Sequence, residues 1–142
     1  MQKRLHLFIL ALLMLTLLLA SCSPFKKLGN AKVYNSPDGS LSVATKGSLP
    51  WPKSEMGNLP EFKGNIEAKA TNDGITVMTI ADVKKADLDA YVSQVKSMGF
   101  TPTLETDTSD YYMLLAEKDD HMLSLQYAID GDKGTLILSY QD

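Results

Sequence analysis

The sequence predicts an α+β fold, an antiparallel sheet of about five strands in the order β-β-α-β-β-β packed in two layers on one α-helix. Three observations carry that expectation. Leu88, Tyr91, Val92, Val95 and Met98 recur at i, i+3, i+4, i+7 and i+10, the spacing of one helical face. Elsewhere the period falls to two, most clearly where Leu123, Leu125, Tyr127 and Ile129 alternate with Met122, Ser124, Gln126 and Ala128. Turn signals at Asn72-Asp73-Gly74, Asp119-Asp120-His121 and Asp130-Gly131-Asp132-Lys133-Gly134 divide the alternating runs.

Taken in order, the chain opens with Lys3 and Arg4, an apolar run from Leu7 to Ala20 and the ending Leu19-Ala20-Ser21-Cys22. A basic start, a run of about fourteen apolar residues and small residues before a break have the layout of a secretory signal, since a spanning helix needs roughly twenty. Residues 1–21 are therefore expected to be removed. The ending resembles the lipobox of bacterial prolipoproteins, and the resemblance implies that Cys22 is acylated and becomes the first residue of the mature chain. Residues 22–46 are poor in large apolar groups and are expected to be mostly a flexible tether, with the turn Ser36-Pro37-Asp38-Gly39 inside it. Residues 47–142 are expected to form one small domain.

That domain begins with Gly47-Ser48-Leu49-Pro50-Trp51-Pro52 and Leu59-Pro60-Glu61-Phe62-Lys63-Gly64. Prolines exclude helix and central strand here, so an extended segment is expected to lie over the domain with Trp51 as its anchor. Ile66, Ala68 and Ala70, the Asn-Asp-Gly turn, and Ile75 to Ala81 read as a hairpin. The helix follows, with Asp87 and Asp89 in its first turn, Lys96 in its last, Gly99 at the left-handed position and Phe100 placed for a Schellman ending. Leu104 to Asp110 reads as a polar connection. Tyr111 to Lys118, Met122 to Ile129 and Thr135 to Tyr140 read as three strands.

Lys3 and Arg4 leave with the signal, so the mature chain carries a net charge of about −5. An acidic balance argues against nucleic acid and against electrostatic adhesion to anionic lipid. Membrane attachment is then expected from the lipid on Cys22 alone, stable when two or more chains anchor it. Cys22 is the only cysteine, so its acylation leaves no disulfide, thiolate nucleophile or Cys-based metal site.

The remaining chemistry is sparse. Asp130-Gly131-Asp132 begins like an oxygen-ligand calcium loop, but Lys133 brings a positive charge and Gln141 stands where a bidentate Glu is needed. A five-residue hairpin loop accounts for the same residues. Met113, His121 and Met122 have donor types suited to Cu(I), although methionine is an ordinary gap filler and the strand pattern sends Met113 and Met122 to opposite faces. His121 is the only histidine after the signal, in an expected surface turn without a nucleophile motif. Asp87 with Asp89, and Asp107 with Asp110, are explained by helix-start electrostatics and a solvated loop. No catalytic residue, metal or cofactor is expected. Trp51 with Tyr111 or Tyr112 offers a candidate binding patch, since adjacent strand residues face opposite ways and aromatic residues dominate interfaces.

Trp51-Pro52, Leu59-Pro60, the helix Asp87 to Met98 with Tyr91, the Gly99-Phe100 ending and the closing strands resemble a family of small uncharacterised bacterial lipoprotein domains. The likeness covers Leu49 to Tyr140; the usual Ser or Thr before the helix is Lys85 here. The resemblance implies a cell-envelope location and the β-β-α-β-β-β arrangement, and assigns no activity. The expectation is a lipid-anchored, non-enzymatic module binding an envelope protein or polymer. The alternatives are a small-ligand-sequestering or inhibitor protein and, more remotely, a hydrolase using His121. Ser23 after Cys22 resembles lipoproteins released to the outer membrane where two membranes exist; with one membrane the protein faces outward from the cytoplasmic membrane.

Overall fold

In the computed structural model, residues 33–45 and 47–142 are described. Cys22, the signal 1–21 and residues 22–32 lie outside them. Among the described residues eight strands form one fully antiparallel sheet: β1 (Val33–Asn35), β2 (Leu41–Ala44), β3 (Asn65–Asn72), β4 (Ile75–Val83), β5 (Thr101–Asp107), β6 (Tyr111–Lys118), β7 (His121–Asp130) and β8 (Lys133–Gln141). The spatial order is β1-β2-β3-β4-β8-β7-β6-β5, and α1 (Lys85–Ser97) links β4 to the far edge. The fold is thus β-rich, which corrects the expectation of an α+β domain with about five strands. The three added strands are β1 and β2, inside the span expected to be tether, and β5, at the expected polar connection.

Two four-stranded meanders meet at the β4–β8 seam, where Thr76 pairs with Tyr140, Met78 with Leu138 and Ile80 with Leu136. One face of the sheet carries the core. A cross-strand row from Met78 through Leu138 and Leu125 to Leu114 is fully buried, and its ends are charged: Lys69 on β3 and Glu105 on β5. Each charge fastens one of the two segments that cover this face. Lys69 Nζ donates to Glu55 Oε1 at 2.8 Å, pinning a strap over residues 48–64 that inserts Leu49, Trp51, Met56, Leu59 and Phe62 into the core. Lys96 Nζ donates to Glu105 at 2.8 and 2.9 Å and fastens α1 over the β5 edge.

At thirteen residues α1 is about 20 Å long, close to the roughly 19 Å from β4 across β8, β7 and β6 to β5. Leu88, Tyr91, Val92 and Val95 face the sheet. Lys84 is the N-cap and makes no side-chain cap bond, so the helix start depends on packing and on Asp87 near the dipole. The other end is a Schellman motif: Phe100 N donates to Val95 O at 3.4 Å, Gly99 N to Lys96 O at 3.0 Å, with Gly99 at φ 96°.

The last turn differs from expectation. Asp130 pairs with Lys133, so the last hairpin closes on the two residues Gly131 and Asp132 rather than on a five-residue loop. Gly134 lies inside β8, where a Cβ would stand 2.6 Å from the Tyr127 ring and collide with the Ala128 carbonyl oxygen. That close approach lets the buried Tyr127 hydroxyl donate to Val83 O at 3.0 Å, beside the β4 bulge where Asp82 takes φ 59°.

Candidate functional site

The three aromatic residues of the expected patch do not come together. Trp51 is 9 % exposed and belongs to the core, which it enters from the strap. Tyr112 points to the same covered face at 3 % exposure and donates its hydroxyl to Glu105 Oε1 at 2.8 Å. Burial first, and then the neighbouring Glu105 carboxylate, push its phenol well above the ordinary tyrosine range. Tyr111 faces the opposite side, half-buried, with its hydroxyl 3.3 Å from Met113 Sδ; burial raises it as well.

His121 opens β7 instead of sitting in a turn. It shares the covered face with Leu123 and stacks on Tyr140 with ring centroids 5.8 Å apart and planes at 22°. Its Nδ1 is 3.0 Å from Asp142 Oδ1 but off the hydrogen-bonding axis, so the contact is a charge pair when the imidazole is protonated. Met113 and Met122 share the other face, correcting the expectation that they diverge, and the pairings Met113–Gln126 and Met122–Glu117 set them about 13 Å apart along the strands. His121 and the two methionines therefore do not converge. Among the described residues no three His, Cys, Asp or Glu side chains gather into a metal-holding group.

The less expected feature is the second face of the sheet. The strap and α1 both lie on the first, and among the described residues no segment covers the second. Hydrogen-bonded registers put two continuous rows across it: Ala70, Val77, Ser139, Ser124, Leu115 and Leu104 in one, Ala68, Thr79, Ile137, Gln126, Met113 and Thr106 in the other. Leu41 and Val43 extend the rows onto β2. Neither row holds a charged side chain, although 22 % of the chain is charged. A solvent-facing sheet surface ordinarily alternates in lysine, glutamate and similar residues; depletion of charge with methionine and tyrosine present is the composition of an interface. Leu104 and Tyr34, the two exposed large apolar residues, stand toward opposite edges of this face.

Ser124 and Ser139 are paired at the middle of the face and each is 1 % exposed. Ser124 Oγ has no hydrogen-bond partner, and neither does Gln141 Oε1, one diagonal step away. Two unpaired polar atoms buried within the face are a cost to the fold.

A smaller feature lies between α1 and the strap. A groove of about 350 Å³ is lined by Glu61, Phe62 and Lys63 on one wall and Asp87, Ala90, Tyr91 and Gln94 on the other. Phe62 and Tyr91 meet edge to face beneath it, centroids 5.1 Å apart at 70°. The Tyr91 hydroxyl is buried without a partner, and burial pushes it far above the ordinary phenol range.

Compared with protein-family models and with curated proteins, the chain matches none. The uncovered face had a partial signal in the sequence: Ser124, Gln126 and Ala128 alternate as the wet side of a strand, but their neighbours Ile137, Val77 and Leu104 arrive only through register.

Proposed function

We propose that this chain is a lipid-anchored cell-envelope protein that works as a non-enzymatic binding module, with the uncovered sheet face as its recognition surface. The observation that carries the binding role is that face: two charge-free rows spanning seven strands, left bare by the strap and the helix. The anchor rests on Leu19-Ala20-Ser21-Cys22, and Ser23 directs the protein to the outer membrane where there are two membranes. The strands β1 and β2 lie inside the span expected to be tether, so ten residues of sequence separate Cys22 from the first strand. The face would then act close to the lipid surface, on neighbours in the same membrane or polymer layer.

The test is photocrosslinking in intact cells, with a photoreactive side chain in place of Gln126 on the face and, as control, of Ser93 on the exposed side of α1. Adducts from position 126 and not from 93 are expected, and Cys22→Ala should release the protein from the membrane fraction. A face that crosslinks no more than the control would overturn the reading.

The groove under Glu61 and Asp87 favours a second reading, a small-ligand-sequestering protein, because the unpaired Tyr91 hydroxyl beside it offers a hydrogen bond. Tyr91→Phe would then abolish the thermal shift given by a ligand, about 2.7 kcal/mol at a hundredfold excess over Kd, while leaving crosslinking at position 126 intact.

A further inference from the structure

We propose that Met113 is a redox modification site on the uncovered face, a thioether that hydrogen peroxide converts to the sulfoxide with the help of the Tyr111 hydroxyl. The site goes beyond the binding role and stands whether or not that face meets a partner.

Access is the first support. Among the described residues, Met56 and Met78 are fully buried and Met98 packs half-buried against the core. Met113 and Met122 are half-buried on the face that no described segment covers, so these are the two methionines that an oxidant in solution meets.

Surroundings separate those two. The Tyr111 hydroxyl, two residues along β6, donates to Met113 Sδ at 3.3 Å. Across the strands Met113 pairs with Thr106 and Gln126, so each neighbour in register brings an uncharged side chain with a hydrogen-bond donor. Met122 pairs instead with Glu117 and Gln141, and an ionised Glu117 carboxylate only accepts.

Donors matter because of where charge moves. The sulfur lone pair attacks one peroxide oxygen, the S–O bond forms as the O–O bond breaks, and negative charge gathers on the departing oxygen. The proton of the transferred oxygen passes to the departing one, which leaves as water; sulfur gives up two electrons and the peroxide takes them. A donor fixed beside the sulfur stabilises that charge without being consumed. The Tyr111 hydroxyl stands there, and it turns from the sulfur to the peroxide oxygens as the new bond forms. The sulfoxide oxygen is then a stronger acceptor than the thioether for the same hydroxyl. Oxidation thus sets a polar, chiral group opposite Gln126 in a charge-free row.

The experiment exposes the full lipidated chain in its own membrane to limiting hydrogen peroxide and, separately, to limiting hypochlorous acid, and reads sulfoxide at each methionine by peptide mass spectrometry. Hypochlorous acid oxidises any thioether it reaches, so its ratio of Met113 to Met122 measures exposure alone. The peroxide ratio is expected to exceed it about fivefold, the worth of one ordinary hydrogen bond, and to fall to it in Tyr111→Phe. If Tyr111→Phe lowers the melting temperature, dividing the two oxidants' yields at each position removes the change in exposure. Equal ratios in the native chain would overturn the proposal. So would a peroxide excess that persists in Tyr111→Phe, or oxidation of the buried Met56 and Met78 that keeps pace with Met113.

Discussion

Gly134 shows how one absent side chain holds a corner of the molecule. The Tyr127 ring crosses it to reach the Val83 carbonyl, and a methyl group there meets both the ring and the Ala128 carbonyl oxygen. Gly134→Ala is expected to cost on the order of 3 kcal/mol in chemical denaturation, whereas Tyr127→Phe, which loses one buried hydrogen bond, costs about 1 kcal/mol. Asp38 is a contrasting case, fully exposed yet strongly bound. Its Oδ1 accepts from Ser36 Oγ at 2.5 Å, Ser40 Oγ at 2.8 Å and Ser40 N at 3.1 Å, which holds its carboxyl down at about 2. A folded value below the ordinary 3.9 means the turn is held in full above that pH and loosens as pH falls through about 2. NMR titration should find that midpoint, and Asp38→Ala should speed amide exchange at Leu41 and Thr71 at neutral pH, since Thr71 N donates to Ser40 O. Residue types revealed the turn, because Ser-Pro-Asp-Gly is local chemistry. They did not reveal that Gly134 belongs to a strand, because the ring that requires it comes from β7.

At the scale of elements, the helix start is the weak joint. Lys84 offers no oxygen to the first-turn amides. Lys84→Ser is expected to stabilise the protein by about 1 kcal/mol, seen as a higher denaturation midpoint with an unchanged slope. The helix, the β3–β4 hairpin and the three closing strands were legible because their buried faces leave an apolar period in the sequence. β5 was not. Its residues Glu105 and Asp107 point to the covered face but meet Lys96 and Lys85 on α1, so ion pairs stand where an apolar period would reveal a strand. Inward charges of this kind also guard an edge from pairing with stray chains. β1 and β2 are short and half-exposed, and pairing with β3 rather than composition makes them strands.

For the whole molecule, cooperativity is concentrated at one seam. β1 to β4 and β5 to β8 are each contiguous in the chain, and among the strands the two sets meet only where β8 pairs with β4, β8 pairing with β7 on its other side. A chain cut before Lys133 is expected to show no cooperative melting by circular dichroism, although β1 to β4 and β5 to β7 remain in it. The candidate site belongs to this scale too. Its rows draw single residues from seven strands, so the sequence held its members without their adjacency, while the aromatic residues that drew attention, Trp51 and Tyr112, went to the core where large rings bury most area.

The position of β8 in chain order sets a timetable. A polypeptide that emerges from a ribosome or a translocation channel N-terminus first can build its leading meander early, but the strand that locks the sheet arrives after Lys133. Until then β4 presents an open edge, without the β8 partners of Met78 and Ile80. Arrival of β8, rather than of any earlier strand, closes the sheet.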